Sequence, residues 1–184
     1  MELIGPYLIA CVLLIVAGVA KAVRPADTAR ALGALVPVPF PWLRGVVRVG
    51  SMAEAALGVV AIALPRPGPA WLVALSYVGF AVIVAVARSK GAAISSCGCF
   101  GTPDTPATML HVLVNLALAG AAATVALAGA SGTIASVLSQ QPLHGLPLVA
   151  VSALGAWLTY LALSGLARVQ AARRLTAISF RVER

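Results

Sequence analysis

The chain alternates long apolar runs with short polar or proline-rich stretches. Five of these runs reach the roughly 20 residues that a helix needs to cross a bilayer. They are rich in Ala and Leu and lack the alternation typical of strands, and backbone groups in lipid must be paired within the segment or in a closed barrel. The pattern therefore predicts five transmembrane helices, at residues 3–22, 43–64, 70–87, 107–129 and 146–167.

The stretches between these runs predict short connections. Residues 24–43 are expected to hold a short interfacial helix at 26–35 and then an extended, proline-containing segment. Trp42 follows, at a position that suits a membrane interface. Residues 65–69 predict a tight, helix-breaking turn, and residues 131–145 predict a polar connection.

Composition supports a membrane bundle. The chain is 61% hydrophobic and 10% charged, with a mean hydropathy of +1.01, whereas soluble domains are about 45–50% apolar and about 25% charged. Small residues recur at four-residue spacing, as in Ser51/Ala55 and Ala119/Ala123, and such spacing lets membrane helices approach closely. No internal repeat or linker divides the sequence, so we expect residues 1–184 to form one membrane domain.

The net charge of +8 does not indicate a nucleic-acid partner. Nearly all basic residues flank the apolar runs, where Lys and Arg meet lipid headgroups. The first run resembles a signal peptide only in the small residues Gly18-Val19-Ala20, because residues 1–6 contain no Lys or Arg and the run exceeds an h-region of about 7–15 residues. We therefore expect it to be retained as a span.

A few ionisable side chains occur within the spans. Because successive loops alternate between two sides, Lys21 ends span 1 on the same side as the loop between spans 3 and 4. Arg48 and His111 each lie about one turn from that side, and Asn115 follows His111 by one turn on the same helix face. We expect these four side chains to converge beneath that loop, with Glu54 deeper, near the middle of the membrane.

That loop, residues 89–106, contains Cys97 and Cys99, one residue apart. A disulfide closed over one residue should be strained, and strained or exposed disulfides tend to be the labile, catalytic ones. The pattern favours thiol–disulfide exchange, with two alternatives: a static disulfide or idle thiols, and a Cu(I) site that uses His111 as a third ligand. Cys11 lies toward the opposite side and is expected to be a small core residue.

Each of the ionisable residues has two interpretations, one functional and one structural. His111 is a candidate base or proton shuttle for the thiols, or an interfacial histidine bonded to Asn115 or to a loop carbonyl. Glu54 is a candidate proton relay, or a carboxylate paired with Arg48 to fix helix register. Lys21 and Arg48 would favour the thiolate, which is the reactive form of cysteine. The candidate catalytic residues are Cys97, Cys99, His111, Glu54 and Arg48.

The run Cys97-Gly98-Cys99-Phe100-Gly101 after a third span resembles the signature of the MauE proteins, methylamine-utilisation membrane proteins of the wider DoxX-like group. Looser matches over about residues 1–130 are Lys21 ahead of Ala31-Leu32-Gly33, Arg48…Glu54…Gly58, and His111…Asn115. The resemblance implies an all-α integral membrane protein in which a four-helix DoxX-like transmembrane bundle carries a fifth transmembrane helix.

The resemblance further implies a redox-associated protein of the cell membrane that acts with thioredoxin-like proteins on thiols and disulfides, with quinone as a suggested electron carrier. His111 departs from the family pattern, so the resemblance gives it no role. The expected partners are the lipid bilayer and a thioredoxin-like protein or other membrane subunits. Because the chain carries no cofactor motif, the alternative is a non-catalytic membrane subunit whose cysteine loop is a docking surface or a Cu(I) clip.

The distribution of basic residues and the chemistry of the cysteine loop predict opposite orientations of the protein in the membrane. Of the 13 Lys and Arg residues, all but Arg66 fall on the side of the cysteine loop. The positive-inside rule places that side in the cytoplasm, whereas disulfides normally form outside it. The sequence is therefore compatible with either orientation.

Overall fold

The computed structural model describes residues 4–89, 108–129 and 133–166. Regular structure within these residues is helical throughout, and five of the helices are long and apolar enough to cross a membrane. The predicted fold class is confirmed: the chain is an all-α, multi-pass integral membrane protein. Cys97 and Cys99, together with the basic tail, lie outside the described residues.

The helices follow the apolar runs closely. A turn at Pro142–Gly145, in which Leu143 and His144 have positive φ, precedes the last long helix, and a π-helical turn at Ala162–Leu166 follows it. In chain order the helices are α1 (Ile4–Val23), α2 (Pro25–Gly33), α3 (Phe40–Ala63), α4 (Pro67–Ser89), α5 (Met109–Leu127), α6 (Ile134–Ser139) and α7 (Leu146–Leu161).

Most of the described long helices carry a proline in their first turn. Pro41 lies in the first turn of α3, and Pro67 and Pro69 lie in the first turn of α4. The predicted tight break between these helices is present, but it covers residues 64–66 and not 65–69, because the later prolines belong to α4. A proline in the first turn is tolerated because its missing N–H would have no acceptor within the helix.

The connection between α5 and α7 is more ordered than predicted. Residues 131–145 were expected to form a polar connection, but α6 lies within them. Thr133 caps this helix: its hydroxyl accepts from the backbone N–H of Ser136 at 3.4 Å, and the Ser136 hydroxyl accepts from the Thr133 N–H at 3.1 Å. The short polar side chains therefore begin a helix here rather than prevent one.

Helix α1 occupies the centre of the bundle. Half of its membrane-length window is buried, the highest share among the five described spans. It packs against α3, α5 and α7, and one apolar core draws side chains from α1, α3, α4, α5 and α7. The short helix α2 lies on α3 through Ala29, Leu43 and Val47, which confirms the predicted short helix after span 1.

Helices α1 and α3 approach each other so closely that two glycines are required. A Cβ on Gly18 would lie 2.7 Å from the Ser51 carbonyl oxygen and 2.8 Å from the Ala55 nitrogen. A Cβ on Gly58 would lie 2.9 Å from the Cys11 carbonyl oxygen. Ser51 and Ala55, which are four residues apart on α3, thus face a glycine on the neighbouring helix, as small residues do in other close helix contacts in membranes.

Two buried tyrosines join neighbouring helices by hydrogen bonds to backbone carbonyls. The Tyr7 hydroxyl of α1 donates to the Ala61 carbonyl of α3 at 3.1 Å. The Tyr77 hydroxyl of α4 donates to the Ala10 carbonyl of α1 at 2.6 Å. Each hydroxyl is thereby satisfied inside an apolar bundle, where an unpaired polar group would be costly.

The contacts fix which helix ends lie together. Gly18 of α1 lies against Ser51 of α3, whereas Cys11 lies against Gly58, so the two helices are antiparallel, and α4 and α5 meet through Ala81, Val84 and Val112 near one end of each. The last turns of α1 and α4 and the first turns of α3 and α5 therefore share one end of the bundle. We call this end the Lys21 end.

Candidate functional site

The centre of the site is an ion pair between two helices. Lys21 Nζ of α1 lies 2.5 Å from Glu54 Oε2 of α3, and the side chains are only 7% and 23% exposed. Within the described spans, Glu54 is the only acidic residue, and its charge is balanced by a lysine on the facing helix. Ionisable side chains inside a membrane need such a partner, because neither charge is well solvated there.

An aromatic side chain of α4 completes the surroundings of Lys21. The Nζ atom lies 4.4 Å from the centroid of the Phe80 ring, which is a cation–π distance. Tyr77 holds that ring in an edge-to-face contact at 5.8 Å. The sequence pattern did not point to either residue. Their three-residue spacing on one helix was the available signal, but nothing in the sequence showed that this face meets Lys21.

His111 is fixed at the beginning of α5. It is 2% exposed, and its Nδ1 accepts from the Thr108 backbone N–H at 3.4 Å and lies 2.9 Å from the Thr108 hydroxyl. Thr108 is the N-cap of the helix, so His111 takes the place that Glu or Gln holds in a capping box. Because Nδ1 accepts a backbone proton, Nε2 is the ring nitrogen that carries the proton in the neutral imidazole.

Asn115 lies one turn further along α5. Its Nδ2 donates to the His111 carbonyl at 2.7 Å, so it bonds to the backbone of His111 and not to the ring. The structural interpretation of His111, a bond to Asn115 or to a loop carbonyl, therefore needs correction: the ring is held by Thr108. This bond uses the side-chain amide nitrogen of Asn115, so the side-chain amide oxygen can accept a bond from another donor.

Lys21, His111 and Asn115 line one small cavity near the Lys21 end. Its volume is about 40 Å³, and it lies between α1, α4 and α5. Tyr77 and Phe80 belong to its wall, and the rest is aliphatic: Leu13, Leu14, Ala17, Leu118 and Leu163. The structure thus brings together three of the four polar residues expected to converge, with Glu54 attached through Lys21.

Arg48 does not join this group. Its side chain is exposed, and its Nε donates to the Ala22 carbonyl at 3.3 Å. The structural alternative that paired Arg48 with Glu54 is wrong, since Glu54 pairs with Lys21. Residues six apart on a helix do not share a face, whereas Lys21 lies on the helix opposite.

The cysteines fall into two groups. Cys11 has a free thiol and is fully buried in the core, as expected. Cys97 and Cys99 lie outside the described residues, in the segment between Ser89 and Thr108, which are both at the Lys21 end. Cys99 precedes Thr108 by nine residues, which limits its distance from the N-cap of α5 to roughly 30 Å of extended chain.

The fold and site define a polytopic helical membrane protein with a buried ion pair beside a polar cavity. The model of one protein family, described as methylamine utilisation protein MauE, matches residues 2–129. The chain therefore belongs to the MauE family, and the predicted family is confirmed. The match ends just after α5, so α6 and α7 lie beyond it. No curated protein and no solved structure matches the chain.

Proposed function

We propose that this MauE-family protein exchanges electrons between its Cys97/Cys99 pair and a thioredoxin-like partner. A thiolate of the pair attacks the partner's disulfide, and a mixed disulfide forms as the partner's S–S bond breaks. The second cysteine then attacks the mixed disulfide and releases the partner. Cys97 and Cys99 become a disulfide and give up two electrons and two protons, which the partner's dithiol gains. The reverse sequence restores the dithiol.

One observation carries this proposal: a charged and polar group is buried at the end of the bundle to which the cysteine segment is joined. Lys21, Glu54 and His111 are costly to bury in lipid unless they have a use or a partner. His111 opens the helix that follows the cysteine segment directly, within reach of a thiol by chain length. An imidazole there suits the transfer of thiol protons, so His111 and Glu54 are proposed to handle protons. Arg48 is proposed to favour the thiolate.

Quinone does not fit the cavity of the described residues. Small-molecule pockets measure about 300–1,000 Å³, far more than the 40 Å³ here. A second concavity on α3, of about 680 Å³, is lined by Pro41, Trp42, Gly45, Val46, Val49 and Gly50. Apart from the indole N–H, these side chains offer no hydrogen-bond donor for a quinone oxygen, so this concavity does not fit a quinone either.

The direct test removes the two sulfurs. The double variant Cys97→Ser/Cys99→Ser, reduced and reconstituted in vesicles, should no longer reduce oxidised thioredoxin, which serves as the probe partner. The redox state of thioredoxin is measured by alkylation and gel shift over time. Cys11→Ser is the matched control and should act as the parent does, because Cys11 is buried in the core. Undiminished transfer by the double variant would contradict the proposal.

A further inference from the structure

The Lys21 ammonium has more donors than its protein partners use. An ammonium group has three N–H donors. One is directed to Glu54 Oε2, and the face of Phe80 accommodates another. A third remains for the cavity that Lys21 lines. Because a buried donor without an acceptor is costly, an acceptor inside the cavity would satisfy this donor.

The cavity has the properties of a hydrated site. Its 40 Å³ offer room for about three water molecules at roughly 10–15 Å³ each. A buried water needs two to four polar partners. Lys21, Asn115 and His111 all line this space, and each carries a polar side chain that can bond to water. An apolar cavity of this size would stay dry, but these three groups place polar partners in an otherwise mainly apolar wall.

We propose that a cluster of water molecules in this cavity connects His111 with the Lys21–Glu54 pair and carries protons between them. Lys21 gives a proton to Glu54 and, as a neutral amine, takes one from the water, and the water takes one from an imidazolium at His111. His111 ends neutral, Lys21 ends as it began, and the Glu54 carboxylate ends protonated, so the charges balance. The proposed hydration of the cavity does not depend on the proposed function. The use of this path for thiol protons does depend on the proposed function.

Lys21 is thereby the bridging residue of the path. Glu54 is absent from the cavity wall and reaches it only through Lys21. Phe80 and Tyr77 hold Lys21 between the carboxylate and the cavity. Ala17 lies in the same wall on α1, one turn before Lys21, so a larger side chain at position 17 would occupy the space proposed for water.

The sequence allows hydration to be measured at single atoms. The chain has two histidines and two lysines, so a parent that carries Lys90→Arg and His144→Gln keeps only Lys21 and His111. In ¹⁵N-labelled protein in lipid, water-edited solid-state NMR reports magnetisation transfer from water to Lys21 Nζ and to the His111 ring. We expect transfer to both signals in the parent. If neither signal receives magnetisation from water in the parent, the proposal is overturned.

Ala17→Leu, which fills the cavity, should reduce that transfer several-fold and slow thiol–disulfide exchange with thioredoxin. The matched control is Val16→Leu, which adds a methylene to the neighbouring, half-exposed side chain and should change neither. If Ala17→Leu does not fold, Asn115→Leu, which removes a polar partner of the water, takes its place.

An unchanged rate of thiol–disulfide exchange, in a variant whose cavity receives no magnetisation from water, would overturn the proton role. A hydrated cavity in a protein without thiol exchange would instead contradict the proposed function.

Discussion

At the scale of residues, the Lys21–Glu54 pair is the most consequential interaction in the described part of the chain. Its partners come from different helices, so the ionic bond also fixes the rotation of α1 against α3. A buried pair adds little net stability relative to apolar side chains, but a charge left alone is strongly destabilising. The pair is therefore best tested by removing one charge and then both.

Lys21→Met leaves the Glu54 carboxylate without its cation and should lower the free energy of unfolding by about 3–5 kcal/mol. Adding Glu54→Gln in the same chain should recover much of that loss, because neither residue is then charged. Unfolding in mixed detergent micelles, followed by circular dichroism, measures both variants and Glu54→Gln alone.

The control is Arg24→Met, which removes an exposed cation at the same end of the bundle and should cost no more than about 0.5 kcal/mol. The coupling energy from the double-mutant cycle decides the outcome. If the two single losses simply add in the double variant, the residues do not interact and the account of the site is wrong.

At the scale of elements, the contact between α1 and α3 depends on missing side chains. Gly18 and Gly58 bring two backbones to a distance at which no Cβ fits. Without a hydrophobic driving force between helices in lipid, this close packing is a main source of their association. Its effect differs from that of an ordinary helix glycine, which merely weakens the helix.

Gly18→Ala should therefore destabilise the bundle by about 1–3 kcal/mol, as overpacking does in well-packed cores. The new methyl group would meet backbone atoms of Ser51 and Ala55, which cannot rotate away. Gly50→Ala is the matched control on α3, because nothing lies within 4 Å of its added Cβ. It should be neutral or stabilising by about 0.5 kcal/mol. Equal effects of the two substitutions, measured by the same unfolding assay, would show that the contact is not close.

Sequence patterns predicted the helices well because a bilayer allows few alternatives. Length and hydropathy located five spans within a few residues, and the errors arose at short polar stretches. Prolines taken as a turn begin α4, and Thr133 with Ser136 begins α6. These local choices depend on which backbone groups need a partner, and a hydropathy pattern does not contain that information.

The site was predictable only in part. Alternating loops placed Lys21, His111 and Asn115 at one depth, and the structure shows them around one cavity. The partner of Glu54 depended on the rotation of α1 against α3, and the contact of Phe80 with Lys21 depended on the rotation of α4. Such rotations come from packing at residues such as Gly18, so a single sequence does not reveal them.

At the scale of the whole molecule, the bundle is apolar outside and asymmetric along its axis. Large apolar side chains on α3, α4 and α7 are exposed, which suits contact with lipid. The described basic residues gather at the Lys21 end, and Arg66 lies alone among them at the other end. The proposed redox chemistry takes place where this charged end meets the segment that contains Cys97 and Cys99.

The oxidation state of those two cysteines is therefore the most direct measurement. Membranes that contain the protein are held at a series of redox potentials and treated with a thiol reagent that does not cross lipid, before and after the vesicles are opened. The account predicts that both cysteines react together under reducing conditions and lose reactivity together as the potential rises, while buried Cys11 reacts in neither state. Reactivity of Cys97 and Cys99 that is the same at every potential would contradict it.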